Sequence, residues 1–369
     1  MRASLLLRTS APLIAVMLCA LAGAGAARAY DNVALAKRAY DKLILPGYAR
    51  FAETARTFAE RTQVLCRAPS AAALTDARAA AKSALIAWGR IEPIRFGPIT
   101  ANQRLERLLF FPDPHHVADR QIARLLSVKN DDAITRERLT GASVAVQGFG
   151  AVDVALFGPG SEALATADPA SSFRCRYVAA LAAGIAEIAA DVQAEWSGPY
   201  ARTWLEPGGD NKTFLSAAET TQALYRAYVT ELDVLRLHRL APMLGADGKA
   251  SRSPPLLRHG GLALPFILAS IDGARNMLGE DGFLADGSSA DEKEQATRAI
   301  LESAATDLGF ATRAGEAAEA LAGRGETDEA LRGKLIAMGA ALDNVDVVSR
   351  PTLGELTGQT LGFNALDGD

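Results

Sequence analysis

Val178-Ala179-Ala180-Leu181-Ala182-Ala183-Gly184-Ile185-Ala186-Glu187-Ile188-Ala189-Ala190-Asp191-Val192 decides the fold class. Val178, Leu181, Ile185, Ile188 and Val192 follow one another at steps of 3, 4, 3 and 4, which places them on one stripe of an α-helix. A helix with one apolar stripe needs other helices to cover it, and the rest of the chain supplies them. Leu331, Leu335, Met338, Leu342 and Val345 step by 4, 3, 4 and 3. Leu224, Tyr228, Leu232 and Leu235 form a third stripe, opened by the capping box Ser216-Ala217-Ala218-Glu219, and Ser289-Ala290-Asp291-Glu292 is a second box. Upstream, Asp31 to Arg67 reads as two helices joined by a turn at Pro46-Gly47, and Pro69-Ser70 precedes an Ala-rich helix from about Ala71 to Ile91. Alternating strand patterns are nearly absent. The expected fold is all-α.

The turn-forming Gly208-Gly209-Asp210-Asn211 separates the two helical regions. The expected division is 1–29 as a signal peptide, 30–207 as an N-terminal bundle and 212–369 as a C-terminal bundle. Arg2 and Arg8, the apolar Leu13 to Leu18 and the small-x-small Ala27-Arg28-Ala29 make the signal peptide, with cleavage expected after Ala29. Removal takes Arg2, Arg8 and Arg28 and no acid, moving the net charge from −4 to −7. No basic patch for nucleic acid is present. After Ala29 no apolar run reaches the roughly 20 residues that span a bilayer, so no transmembrane segment is expected after cleavage. The mature protein is expected in the periplasm or cell envelope. There an oxidising environment predicts a disulfide between the remaining cysteines, Cys66 and Cys175.

Gln147-Gly148-Phe149-Gly150-Ala151-Val152-Asp153-Val154-Ala155-Leu156-Phe157-Gly158 is the stretch that points to a site. A glycine inside a helix costs about 1 kcal/mol against alanine, so Gly148 and Gly150 signal close backbone approach or open space beside the helix. Gly150 and Asp153 share a face, while Phe149, Val152 and Leu156 make the neighbouring apolar stripe. A second wall is Trp88-Gly89-Arg90-Ile91-Glu92-Pro93-Ile94-Arg95-Phe96-Gly97-Pro98, where Pro93 disfavours helical geometry at Glu92. Glu92 and Arg95 suit an anion or an ion pair with Asp153. Asp113 and Pro114 suit the start of a following helix, with His115 and His116 at its solvated beginning. His238 lies among Asp233, Arg236 and Arg239 and carries no chemical signal, whereas His259 follows a rigid turn. No nucleophile elbow, phosphate loop or zincin histidine pair is present.

The Ile91-Glu92-Pro93-Ile94-Arg95-Phe96-Gly97-Pro98 run, the Gly148 to Gly158 segment and the ending Leu361-Gly362-Phe363-Asn364-Ala365-Leu366-Asp367-Gly368-Asp369 resemble the imelysin, or M75 peptidase, family. The resemblance implies an envelope protein of two helical bundles with a site between them, and a link to iron uptake or regulation. The family's Gly-x-His-x-x-Glu motif falls on Gly148, Gly150 and Asp153, so glycine stands in the histidine position and aspartate in the glutamate position. The loss removes an imidazole ligand and base. The expectation is a non-catalytic binding or accessory protein with a cleft lined by Glu92, Arg95, Gly148, Gly150 and Asp153, serving an unidentified small ligand or envelope protein partner. No cofactor is assigned with certainty. Glu92 and Asp153 are the expected ligands if iron or another divalent metal binds. The alternative is an M75-type metal-dependent peptidase with a rearranged site, His259 joining Glu92 and Asp153.

Overall fold

The computed structural model describes residues 30–113, 115–244, 255–284, 292–322 and 329–359. The signal-peptide residues 1–29, Ser289-Ala290-Asp291 of the second capping box and the 361–369 ending lie outside the described residues. Chain contacts separate Met1–Asp31 from Asn32–Asp369, and all the helices named below belong to the second unit. Its described residues are helices and connecting turns, with no strand among them.

The first helices are α1 (Asn32–Ala39), α2 (Leu45–Arg67) and α3 (Ala71–Ile91). Pro46-Gly47 does not break the chain into a helical hairpin. The helix continues through them, and a wide π-helical turn at Tyr40–Ile44 precedes the proline. Such a turn accommodates the missing proline N–H and the ring that would crowd the carbonyl one turn back. A Cβ on Gly47 would lie 2.5 Å from Ile91 Cδ1, so this glycine serves close packing. α3 starts as expected, with the Ser70 hydroxyl accepting the Ala73 N–H at 3.1 Å.

Short helices α4 (Arg104–Leu108), α5 (Val117–Val128), α6 (Arg136–Thr140) and α7 (Gly148–Val152) lead to α8 (Pro169–Ser197) and α9 (Pro199–Leu205). The expected stripe of α8 is buried throughout: Val178, Leu181, Ile185, Ile188 and Val192 are all at most 4% exposed. No uninterrupted apolar run spans it, yet by overall length and composition α8 is apolar enough to cross a membrane. Its alanines account for that, because its stripe packs along α2 and Cys175 is bonded to Cys66 of α2 with Cα atoms 5.6 Å apart. That cross-link closes a long loop and restricts the unfolded chain, a contribution of about 4–5 kcal/mol on the chain-entropy account.

The Gly208–Asn211 stretch is an ordered turn: the Asn211 side chain accepts the Thr213 and Phe214 N–H groups and donates to the Thr203 and Glu206 carbonyls. We keep it as the proposed boundary between two bundles. Beyond it run α10 (Ala217–Asp233), a π-helical continuation at Val234–Leu240, α11 (Ala241–Leu244), α12 (Ala263–Leu278), α13 (Glu292–Glu319) and α14 (Glu329–Thr357). The first capping box forms differently from the expected pattern. Ser216 makes no side-chain cap, and Glu219 accepts the Leu215 N–H at 2.6 Å instead.

The main helices pack in the order α8, α2, α3, α12, α13, α14. The α3–α12 seam is tight because glycines face it from both sides. A Cβ on Gly89 would meet the Ala269 Cβ at 2.9 Å, and one on Gly273 would meet the Arg90 carbonyl oxygen at 2.4 Å.

Candidate functional site

The two glycines of α7 do different things. Gly148 has φ +66°, and a Cβ there would lie 2.1 Å from the Leu108 carbonyl oxygen, so only glycine fits. A Cβ on Gly150 would meet nothing within 4 Å. Gly150 borders a cavity of about 240 Å³ whose wall also includes Phe110, Phe111, Asp153, Leu237, Leu256 and His259. Its wall comes from the Phe110–Asp119 segment, the end of α7, the π-helical turn after α10 and the chain entering α12. Residues on both sides of the Gly208–Asn211 turn thus contribute.

Asp153 is 4% exposed and begins a π-helical turn, Asp153–Phe157. Its two oxygens accept the backbone N–H groups of His259 (3.0 Å) and Gly260 (2.8 Å). The carboxylate therefore anchors the segment leading to α12. Burial holds its pKa above the usual carboxylate range, opposed by the Gly260 and His259 N–H groups and by the nearby His259 and Arg258 charges.

Glu92 and Arg95 lie elsewhere, off the cavity wall. Glu92 caps α3 with helical dihedrals (φ −54°, ψ −34°) in spite of Pro93. The Tyr48 hydroxyl donates to the Ile94 carbonyl, and Phe96 stacks on Trp204 at 5.1 Å between ring centroids, which locks the following turn into the core. The Glu92 carboxylate accepts both Arg239 Nη2 contacts, at 2.7 and 2.6 Å, and Arg95 at 2.7 Å. Arg239 also donates to Ser270 Oγ at 2.7 Å and pairs with Glu231 at 3.3 Å, while its guanidinium lies 4.3 Å from the Phe266 ring centre. Arg95 completes the set with Glu231 at 3.3 Å. Two acids and two arginines thus neutralise one another in the interior, the arrangement that makes such charges tolerable there. Burial pushes the Glu231 carboxyl up to about 7, against the pull of Arg239 and with the push of Glu92.

The expected cleft set is thus divided, with Glu92 and Arg95 in the buried charge cluster, Gly150 and Asp153 at the cavity, and Gly148 off the cavity wall, packed against the Leu108 carbonyl. Arg239 joins them, since it belongs to the cluster and to the cavity wall. Glu231, Arg239 and Ser270 escaped the sequence reading. A signal for two of them was present: Tyr228, Glu231, Leu235 and Arg239 continue one stripe at steps of 3, 4 and 4, so charges occupy core positions. His116 and His238, read as lacking a chemical role, both line the cavity, as does His259; Asp113 accepts the Val117 and Ala118 N–H groups, each at 2.9 Å.

A metal ion of the kind implied by the imelysin motif does not fit this donor set. Gly150 supplies no ligand, the Asp153 oxygens accept two N–H groups, and the Glu92 oxygens accept arginines. Among the described residues no group of three His, Cys, Asp or Glu side chains is placed to hold a metal.

Comparison with known proteins agrees with this architecture. The chain is similar in structure to an imelysin-like protein from Psychrobacter arcticum, with a TM-score of 0.73 and 20% identity over 91% of this chain and 99% of that one. It is also similar to a "putative iron-regulated protein A precursor" from Parabacteroides distasonis, with a TM-score of 0.65 and 16% identity over 91% of this chain and 96% of the other. At these identities the likeness establishes the fold. No curated protein matches the chain. The imelysin profile, Peptidase M75, matches residues 44–337, most of the sequence. The chain belongs to the imelysin family.

Proposed function

We propose that this protein is a non-catalytic binding or accessory member of the imelysin family, exported to the periplasm or cell envelope, and that it works through the cavity beside Gly150. The observation that carries the proposal is the open space at Gly150. The helix position that in the family motif bears an imidazole bears no side chain here, and the acid one turn on is committed to holding a loop. Hydrolysis by a metal centre needs about three protein ligands and an open position for water, and no such constellation is placed among the described residues. The name of the Parabacteroides distasonis relative supports a link to iron supply, which we include in the proposal as a role accompanying iron handling.

A second reading is favoured by one observation: His259 stands beside Asp153 at the cavity. A peptidase with a rearranged site would use that pair. The deciding experiment incubates mature protein with a peptide library, supplying Zn(II), Fe(II) or Fe(III) in turn. Under the proposal no steady cleavage occurs with any metal. Steady cleavage that disappears in His259→Ala would overturn it.

A further inference from the structure

α13 and α14 pack against each other, and α14 buries the stripe Leu331, Leu335, Met338, Leu342 and Val345. Its opposite side is unusual. Gly333, Ile336, Ala340, Asn344, Val347 and Pro351 follow at steps of 3, 4, 4, 3 and 4, and all are exposed and uncharged. A solvent-facing strip ordinarily carries the charges of a helix, and 22% of this chain is charged. On α13, Ala296, Ala299, Ser303, Thr306 and Phe310 make a second exposed strip without charge, at steps of 3, 4, 3 and 4. The Asn344 amide donates to the Asp307 carboxylate across the seam, which sets the two strips side by side, and the Arg313 guanidinium lies 5.9 Å from the Phe310 ring centre. Of the nine large hydrophobic residues exposed among the described residues, four are on this hairpin: Ile300 (43%), Phe310 (48%), Ile336 (50%) and Val347 (70%). The other five stand singly on separate elements. Scattered single exposures are ordinary, whereas a grouping on one face marks an interaction surface.

We infer that this face of the α13–α14 hairpin is the contact with a second copy of the chain, hairpin against hairpin about a two-fold axis. Two observations select a second copy. A two-fold axis sets a surface against itself, so a charge near the axis meets its like. Strips without charge avoid that, in a chain whose net charge of −4 makes two copies repel elsewhere. The size also fits. Helices of 28 and 29 residues are about 42 Å long, and two side by side are about 20 Å wide, which gives a face of about 800 Å², the area each partner buries in a standard protein interface. Nearly equal lengths let the hairpin cover its copy from end to end. The small residues Gly333, Ala340 and Ala299 leave grooves into which the large side chains of the facing hairpin pack. The inference is independent of what the cavity beside Gly150 binds.

Sedimentation equilibrium of the full mature chain tests the inference. The expected result is the mass of two chains at micromolar concentration. Ile336→Glu and Val347→Glu each put a charge into the face on both copies, and each is expected to weaken association by at least about a hundredfold while the helical circular dichroism of the parent is kept. Val128→Glu, at a valine of α5 that is 64% exposed, is expected to leave the dimer intact. A parent still monomeric at about 0.1 mM overturns the inference. So does assembly beyond two chains, a dimer that withstands both hairpin substitutions, or one that is lost in Val128→Glu.

Discussion

Gly148 and Gly150 are two residues apart and meet opposite requirements. At Gly148 the positive φ and the Leu108 carbonyl 2.1 Å from a would-be Cβ make any side chain a clash with backbone, which cannot step aside. At Gly150 a Cβ enters empty space and relieves the entropic cost of a helical glycine. Gly148→Ala is expected to lower stability by more than about 2 kcal/mol, and Gly150→Ala to raise it by up to about 1 kcal/mol. Urea denaturation of the two variants measures both, and the same sign for the two would show that the local geometry is misread. The motif resemblance named both positions but said nothing of this contrast, because space around a backbone atom belongs to the neighbours.

At the scale of elements, π-helical turns shape this region. One at Asp153–Phe157 follows α7 and another at Val234–Leu240 follows α10, and both supply cavity wall. A π-helical turn adds a residue to the helical turn and rotates the side chains beyond it. After α10 residue type runs against position: Arg239, on the stripe that faces the core, is 4% exposed, and Leu237, off that stripe, is 55% exposed. The anchor between elements is Asp153, which holds the chain entering α12 through two N–H groups. Asp153→Asn keeps one acceptor oxygen and loses the charge, so it is expected to cost about 1–3 kcal/mol. Hydrogen exchange should show the His259 and Gly260 amides accelerating well beyond the change in the α8 core. Unchanged protection at both amides would mean that the carboxylate does not hold this segment.

Across the whole molecule, the buried charge cluster ties the end of α3 to α10, its π-helical continuation and α12. Its pH response follows from Glu231. Burial raises the folded-state pKa from 4.5 to about 7, so the folded form binds the proton more tightly than the unfolded chain. Stability from this group is complete below about pH 4.5 and is lost as the pH rises through about 7. The fall follows from the tighter hold of the folded form on that proton. Asp153, also raised, acts in the same direction. Glu231→Gln, which still accepts from Arg239, is expected to flatten the fall in denaturation midpoint between pH 5 and 8. Parallel pH profiles for parent and variant would count against this assignment.

The all-helical fold was legible because it rests on periodicity, a local property: the stripes of α8, α10 and α14 and the Ser70 start of α3 are written at three- and four-residue spacing. The Cys66–Cys175 bond was legible because two cysteines allow one pairing. The site was legible only in part. Gly150 and Asp153 were identified by their unusual residue types, and Glu92 and Arg95 by the irregular turn, but their separation into a cavity and a charge cluster was not. Sequence alone determined which helices form and which residues are out of place in them. Only the tertiary structure decided which partner each misplaced charge found and where a void remained. Those outcomes depend on residues more than a hundred positions apart, Glu92 with Arg239 and Asp153 with His259, meeting in space, and no local pattern encodes that meeting.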